Sequence, residues 1–221
     1  MAQLTFQRAR TDEKKRQRAA AIVEAARSMA VESGVTSVTL TAVANRAGVH
    51  YSAVRRYFSS HKEVLLHLAA EGWTRWSDTV RASLDVPGRG SAAGVAEALA
   101  HGLVDDPLFC DLLANLHLHL EHEVDVERVA EVKQISNAAV ISIAESIERS
   151  LPEIGRTGSL DILVAAFSLA AMLWQVSHPP EGLEHDYQSE PGVPPDWNLD
   201  FEPALTRLLT ATCIGIVAQA R

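Results

Sequence analysis

The stretch 39–58, TLTAVANRAGVHYSAVRRYF, constrains the fold more than any other part of the chain. Thr39 is a good N-cap, because its hydroxyl can accept a backbone N–H that the first helical turn leaves without a partner. Behind it, Leu40, Val43 and Ala44 recur at helical spacing and face one side, predicting a short helix over 40–47. Gly48 stops that helix, since glycine enters the left-handed conformation that ends helices at little cost. A second short helix is expected over 49–58, with Val54 and Phe58 on its inner side. Two short helices joined at a glycine turn make a helix-turn-helix, whose second helix can enter a DNA major groove. Tyr51, Ser52, Arg55 and Arg56 then project outward. Arginine can grip guanine O6 and N7 with two N–H groups, and hydroxyls can bond phosphate.

Helical periodicity continues on both sides. Residues 12–33 read as an amphipathic helix through Ile22, Val23, Ala26, Met29 and Ala30, ended by Gly34. Ser60, with Glu63 three residues on, matches a capping box and opens a helix through Leu65, Leu66, Leu68, Trp73 and Trp76 toward Ser83. After a loop at 87–90, helices are expected near 91–104, 107–121 and 125–150. A break at 152–158 precedes two strongly apolar helices, 159–177 and 200–219. Residues 178–199 hold five prolines and read as a long loop. The β-branched residues at 35–41 are too few to build a sheet. The expected fold class is all-α, with a three-helix DNA-binding domain over 1–60 and a larger helical domain over 61–221.

A net charge of -8 argues against a polyanionic partner until its distribution is seen. Residues 1–60 carry ten Lys/Arg against four acids, a local +6, so the remainder carries -14. A basic head on an acidic body is the footprint of a protein that meets nucleic acid at one end. A solvated helix face explains the charges at 12–18 but not Arg46, Arg55 and Arg56.

Other classes are disfavoured. Cys110 and Cys213 lie far apart in apolar helical runs, which suits reduced thiols rather than a disulfide framework. The N-terminus lacks the apolar core of a secretion signal, and the run from Ile162 to Val176 is interrupted by Ser168 and Gln175. A cytoplasmic protein without a membrane span is expected. No nucleophile elbow, phosphate-cradling glycine loop or HExxH motif is present, so neither catalysis nor a cofactor is called for. On a helix His119, His122 and Glu123 would share one face while His117 pairs with Glu121, but no fourth ligand is identifiable and no metal site is assigned.

Residues 20–70 resemble the N-terminal domain of TetR-family transcriptional regulators. The resemblance rests on Gly34, the capped helix from Thr39, the turn at 47–49, the Tyr57-Phe58 pair and the leucine-rich helix after Ser60. It implies DNA contact by Thr39, Thr41, Tyr51, Ser52, Ala53, Arg55, Arg56, Tyr57 and Lys62. His50 departs from the small cap common at its position, and Arg55 from a common aromatic. The resemblance further implies a homodimer through helices 159–177 and 200–219, with Leu163, Phe167, Ala170, Leu205, Leu208 and Leu209 among the candidates. The partner would be a palindromic double-stranded operator. A small, lipophilic effector would be enclosed by residues drawn from Trp73, Trp76, Phe109, Leu113, Leu116, His117, Leu120, Phe167 and Trp174, and its binding would release a repressor from DNA. The remaining alternative is a helical scaffold or carrier without DNA binding.

Overall fold

The computed structural model describes residues 2–179 and 199–220, with side chains from residue 14 onward. The expected proline-rich loop falls mainly on 180–198, outside the described residues. Among those described, the fold is all-helical. The elements are α1 (Ala2–Ser33), α2 (Leu40–Arg46), α3 (Tyr51–Val54), α4 (His61–Leu84), α5 (Ala92–Val104), α6 (Pro107–Asn115), α7 (Val126–Ser150), α8 (Gly155–Ser177) and α9 (Phe201–Gln219). Short 3-10 turns at Val35–Ser37 and Pro152–Ile154 link neighbours, and α6 widens into a π-helical turn at Leu116–Leu120.

Capping fixes where these helices begin. Thr39 accepts the Ala42 N–H at 3.2 Å, and Ser60 accepts that of Glu63 at 3.3 Å. The return arm of the capping box shifts by one residue: Glu63 accepts the N–H of Ser59, not of Ser60, at 2.7 Å. Three expectations need adjustment. Helix α1 begins at Ala2 rather than near residue 12. Helix α3 covers only four residues, and the chain reaches Phe58 through turns such as Tyr57 N–H to Val54 O at 2.9 Å. The segment 107–121 is not one regular helix, because Glu121 N–H reaches back five residues to Leu116 O.

Two apolar clusters hold the fold together, and α4 belongs to both. Its first half, Val64–Ala70, packs with α1, α2 and α3 and with Leu108, Leu112, Leu116 and Leu120, forming the core of the head. Its second half, from Trp73 to Leu84, packs with α5 to α9 around Leu99, Phe109, Ile143, Ile162 and Leu205, forming the core of the body. Tight contacts set the spacing. A Cβ on Gly72 would lie 2.2 Å from Cδ2 of Phe109, so only glycine lets that ring pack on α4.

Helices α8 and α9 use their two faces differently. Leu163, Ala170, Leu205 and Leu209 are fully buried within the chain, while Val164, Met172 and Ile214 are more than half exposed. By length and composition, α8 with its preceding turn and α9 could each cross a membrane, yet only 33% and 28% of their most apolar windows are buried here. The outer faces of both helices thus leave apolar side chains exposed.

Two outcomes follow from this packing. Gly72→Ala is expected to destabilise the protein by about 1–3 kcal/mol through overpacking, read as a lowered Tm in thermal unfolding. The thiols of Cys110 and Cys213 are buried and pushed up to about 12 by desolvation, so both should stay silent to a thiol reagent until the protein unfolds.

Candidate nucleic-acid interface and its link to the body

The helix-turn-helix is assembled from α2, the Gly48 turn and α3. Val43 and Val54 are wholly buried and lock the two short helices together. Gly48 sits at φ 65°, in the left-handed region; a Cβ there would meet nothing within 4 Å, so conformation alone selects glycine. His50 caps α3: its Nδ1 accepts the Ser52 N–H at 3.2 Å and lies 2.8 Å from Ser52 Oγ. The imidazole thus replaces the small cap common at that position. Accepting through Nδ1 leaves the ring proton on Nε2.

Thr39, Thr41, Tyr51, Ser52, Arg55 and Arg56 are all exposed, Ala53 is half-buried, and Tyr57 is half-buried against the head core. The expected face therefore exists, but its cations differ in availability. Arg55 turns back and donates from Nη1 to the carbonyl of Ser59. Arg46 is held in a two-point pair with Glu32, both bonds 2.6 Å long. That pair depresses the Glu32 carboxyl and raises the Arg46 guanidinium. Arg56 has no partner among the described residues and is the guanidinium free to meet a base edge or phosphate.

Lys62 points elsewhere. Its Nζ donates to the carbonyl of His122 at 2.9 Å and to Glu123 Oε2 at 3.1 Å, on the turn after the π-helical segment. Glu123 occupies φ 62°, unusual for a non-glycine residue, and its carboxyl is held down by the hydrogen bond from Lys62. The lysine expected on phosphate is a strut between head and body. Two more contacts act alongside it. Arg27 of α1 pairs with Glu71 of α4. Asp111 of α6 accepts the Val35 N–H at 2.7 Å, tying the turn after α1 to the body. No local pattern signals these pairs, which join residues 44 and 76 positions apart in two of the three cases.

The nine residues expected to enclose an effector do not form one chamber. Trp73 packs edge-to-face on Trp76, Phe109 and Phe167, with ring centroids 5.7, 5.3 and 5.6 Å away, and Leu113 joins them in the body core. Leu116 and Leu120 belong to the head-side core. His117 is exposed, its Nδ1 3.4 Å from Glu121, so it lies outside any enclosure. Trp76 and Trp174 instead border a cleft of about 1320 Å³ between head and body. No group of three or more His, Cys, Asp or Glu able to hold a metal occurs among the described residues. The π-helical turn changes the residue spacing on which the 117–123 grouping depended.

The family described as "Bacterial regulatory proteins, tetR family" matches residues 22–68, and "Tetracyclin repressor-like, C-terminal domain" matches residues 70–220. The chain belongs to the TetR family. It is a transcriptional regulator with a helix-turn-helix DNA-binding domain, and regulators of this family bind DNA operators, dimerise and bind small-molecule effectors. No curated protein matches the sequence. Among solved structures, the fatty acid degradation regulator FadR from Bacillus halodurans is similar, with a TM-score of 0.55, 14% identity, and 90% of this chain and 94% of that one covered. A TetR transcriptional regulator from Rhodococcus sp. RHA1 matches with a TM-score of 0.55 at 16% identity, over 93% of this chain and 98% of that one. At such identities the likeness shows the fold alone.

The differing commitments of the cations separate their roles in solution. Arg56→Ala should weaken operator binding by about 1–3 kcal/mol, measured by fluorescence anisotropy on a selected site. Lys62→Ala should leave the salt dependence of binding unchanged, because no phosphate contact is lost. A shallower salt slope in that variant would return Lys62 to the DNA interface.

Proposed function

We propose that this TetR-family regulator is a cytoplasmic repressor that binds a palindromic operator as a homodimer and leaves it when a small molecule binds. The reading of the operator rests on the exposed face of Tyr51, Ser52 and Arg56 at one end of the molecule. One such face spans too few base pairs for useful specificity, and two related by a twofold axis would read half-sites one helical turn, about 34–36 Å, apart or a multiple of it.

The outward apolar faces of α8 and α9 support the dimer. Val164, Met172 and Ile214 present side chains that a second copy would cover, giving a four-helix interface that equal and opposite packing closes. The proposal thus keeps helices 159–177 and 200–219 as the interface but draws on their outer side chains. Leu163, Ala170, Leu205 and Leu209 are consumed by the chain's own core. A second copy also accounts for the two membrane-length helices without a bilayer, since their inner faces are already packed on α5, α6 and α7.

Release by ligand is supported by the struts. Lys62 to Glu123, Arg27 to Glu71 and Asp111 to the Val35 N–H fix the head's orientation to the body at three points. Any body rearrangement that moves one of them changes the separation of the two heads. Ligand and operator then oppose each other through one coupling free energy, typically about 1–3 kcal/mol.

Two measurements test this reading. Selection from random DNA should enrich an inverted repeat, and enrichment of no site would favour a scaffold without DNA binding. Ile214→Glu should convert the dimer to monomer in light scattering and abolish operator binding with the monomeric fold retained.

A further inference from the structure

The cleft between head and body has a lining in which charges are unevenly compensated. Its walls come from the end of α1, the middle of α4, the α5–α6 junction, α6 and the end of α8; Trp174 is its partly exposed aromatic side chain, with the buried Trp76 and Leu108 behind the wall. Both arginines on its border are already committed. Arg75 is 2.7 Å from Asp106, and Arg27 is paired with Glu71 and Glu24. Glu32 is likewise neutralised by Arg46. Two carboxylates remain. Asp105 is mostly exposed and has His101 at 3.3 Å. Asp111 is half-buried and forms no ion pair among the described residues: its oxygens accept the Val35 N–H at 2.7 Å and the Asn115 amide at 3.1 Å.

A carboxylate drawn out of water without a counter-charge is costly, and here burial pushes the Asp111 carboxyl above its usual range, with the Val35 N–H and His178 partly opposing that rise. His178 itself lies flat on Trp174, ring centroids 3.7 Å apart and planes 17° from parallel. The protein's own imidazole thus occupies an indole face beside a desolvated acid. That is how a flat aromatic cation would sit, attracted by the ring quadrupole and the carboxylate together.

We propose that the head–body cleft binds a small lipophilic cation, its aromatic part on Trp174 in place of His178 and its charged nitrogen on Asp111, with Asp105 as a second attraction. This names the effector class for the ligand-released repressor proposed above, and its regulatory consequence rests on that reading. Asp111 is also the acceptor of the Val35 N–H, so a cation drawing on the same carboxylate loosens the strut at the base of α1. Sensing and release then share one side chain.

Matched probes test the assignment on the full-length dimer: 1-naphthylmethylammonium against 1-naphthylacetate, followed by calorimetry without DNA. The cation should bind about tenfold or more tightly than the anion. Asp111→Asn and Asp105→Asn should each erode that preference, and His178→Ala should tighten cation binding by vacating the indole face. Asp105 is exposed, so its variant remains informative should Asp111→Asn fail to fold. Equal binding of the two probes, or a cation affinity untouched by both aspartate variants, overturns the site. Operator anisotropy provides the separate arm. Release of DNA by the ammonium probe supports both readings. Asp111-dependent binding without release keeps the cation site and removes the ligand-release reading. Release by a neutral or anionic compound that ignores both aspartates keeps the repressor and removes this site.

Discussion

The burial of α4 in two cores at once is the constraint on which the rest of the molecule depends. Val64, Leu65, Leu66 and Leu68 complete the head, and Trp73, Trp76 and Val80 complete the body further along the same helix. A rigid helix inserted in both cannot bend between them without exposing large apolar side chains, each worth roughly 1.5–3 kcal/mol of burial. Head and body are therefore joined through one continuous helix rather than through a linker.

Electrostatics divides the labour among the cations. Arg46 and Lys62 look alike in sequence, as basic residues near a DNA-reading motif, but each is satisfied by an acid of the same chain. Exposed pairs of this kind contribute little to stability, because water screens them. Their effect is on availability: a guanidinium already holding a carboxylate offers less to phosphate. The basic head therefore offers fewer uncommitted cations than its composition suggests, because Arg46 and Lys62 are already paired.

The cleft inverts this logic. Around it, the arginines are neutralised and two carboxylates are left over, one of them half-buried. The body's excess of acid, visible as -14 beyond residue 60, becomes local and directional only where α1, α4, α6 and α8 converge. Coupling between an effector and DNA needs a group that interacts differently in two states. Asp111 qualifies by position, because its carboxylate borders the cleft while holding the backbone of the head.

The sequence by itself determined most of the helix boundaries and the outward face of the helix-turn-helix. Thr39, Gly48 and Ser60 set helix boundaries through local hydrogen bonds and backbone freedom, and the spacing of Val43 and Val54 decided which side of α2 and α3 turns outward. Those effects act within a few residues, so they are legible in a string. What only the tertiary structure decided was the pairing of distant groups. Lys62 went to Glu123 rather than outward, Trp73, Phe109 and Phe167 packed together in a core, and Asp111 met Val35 across the head–body junction. Contacts between residues dozens of positions apart follow from how whole helices pack, and helical periodicity says which side of a helix is apolar without saying which neighbour will cover it.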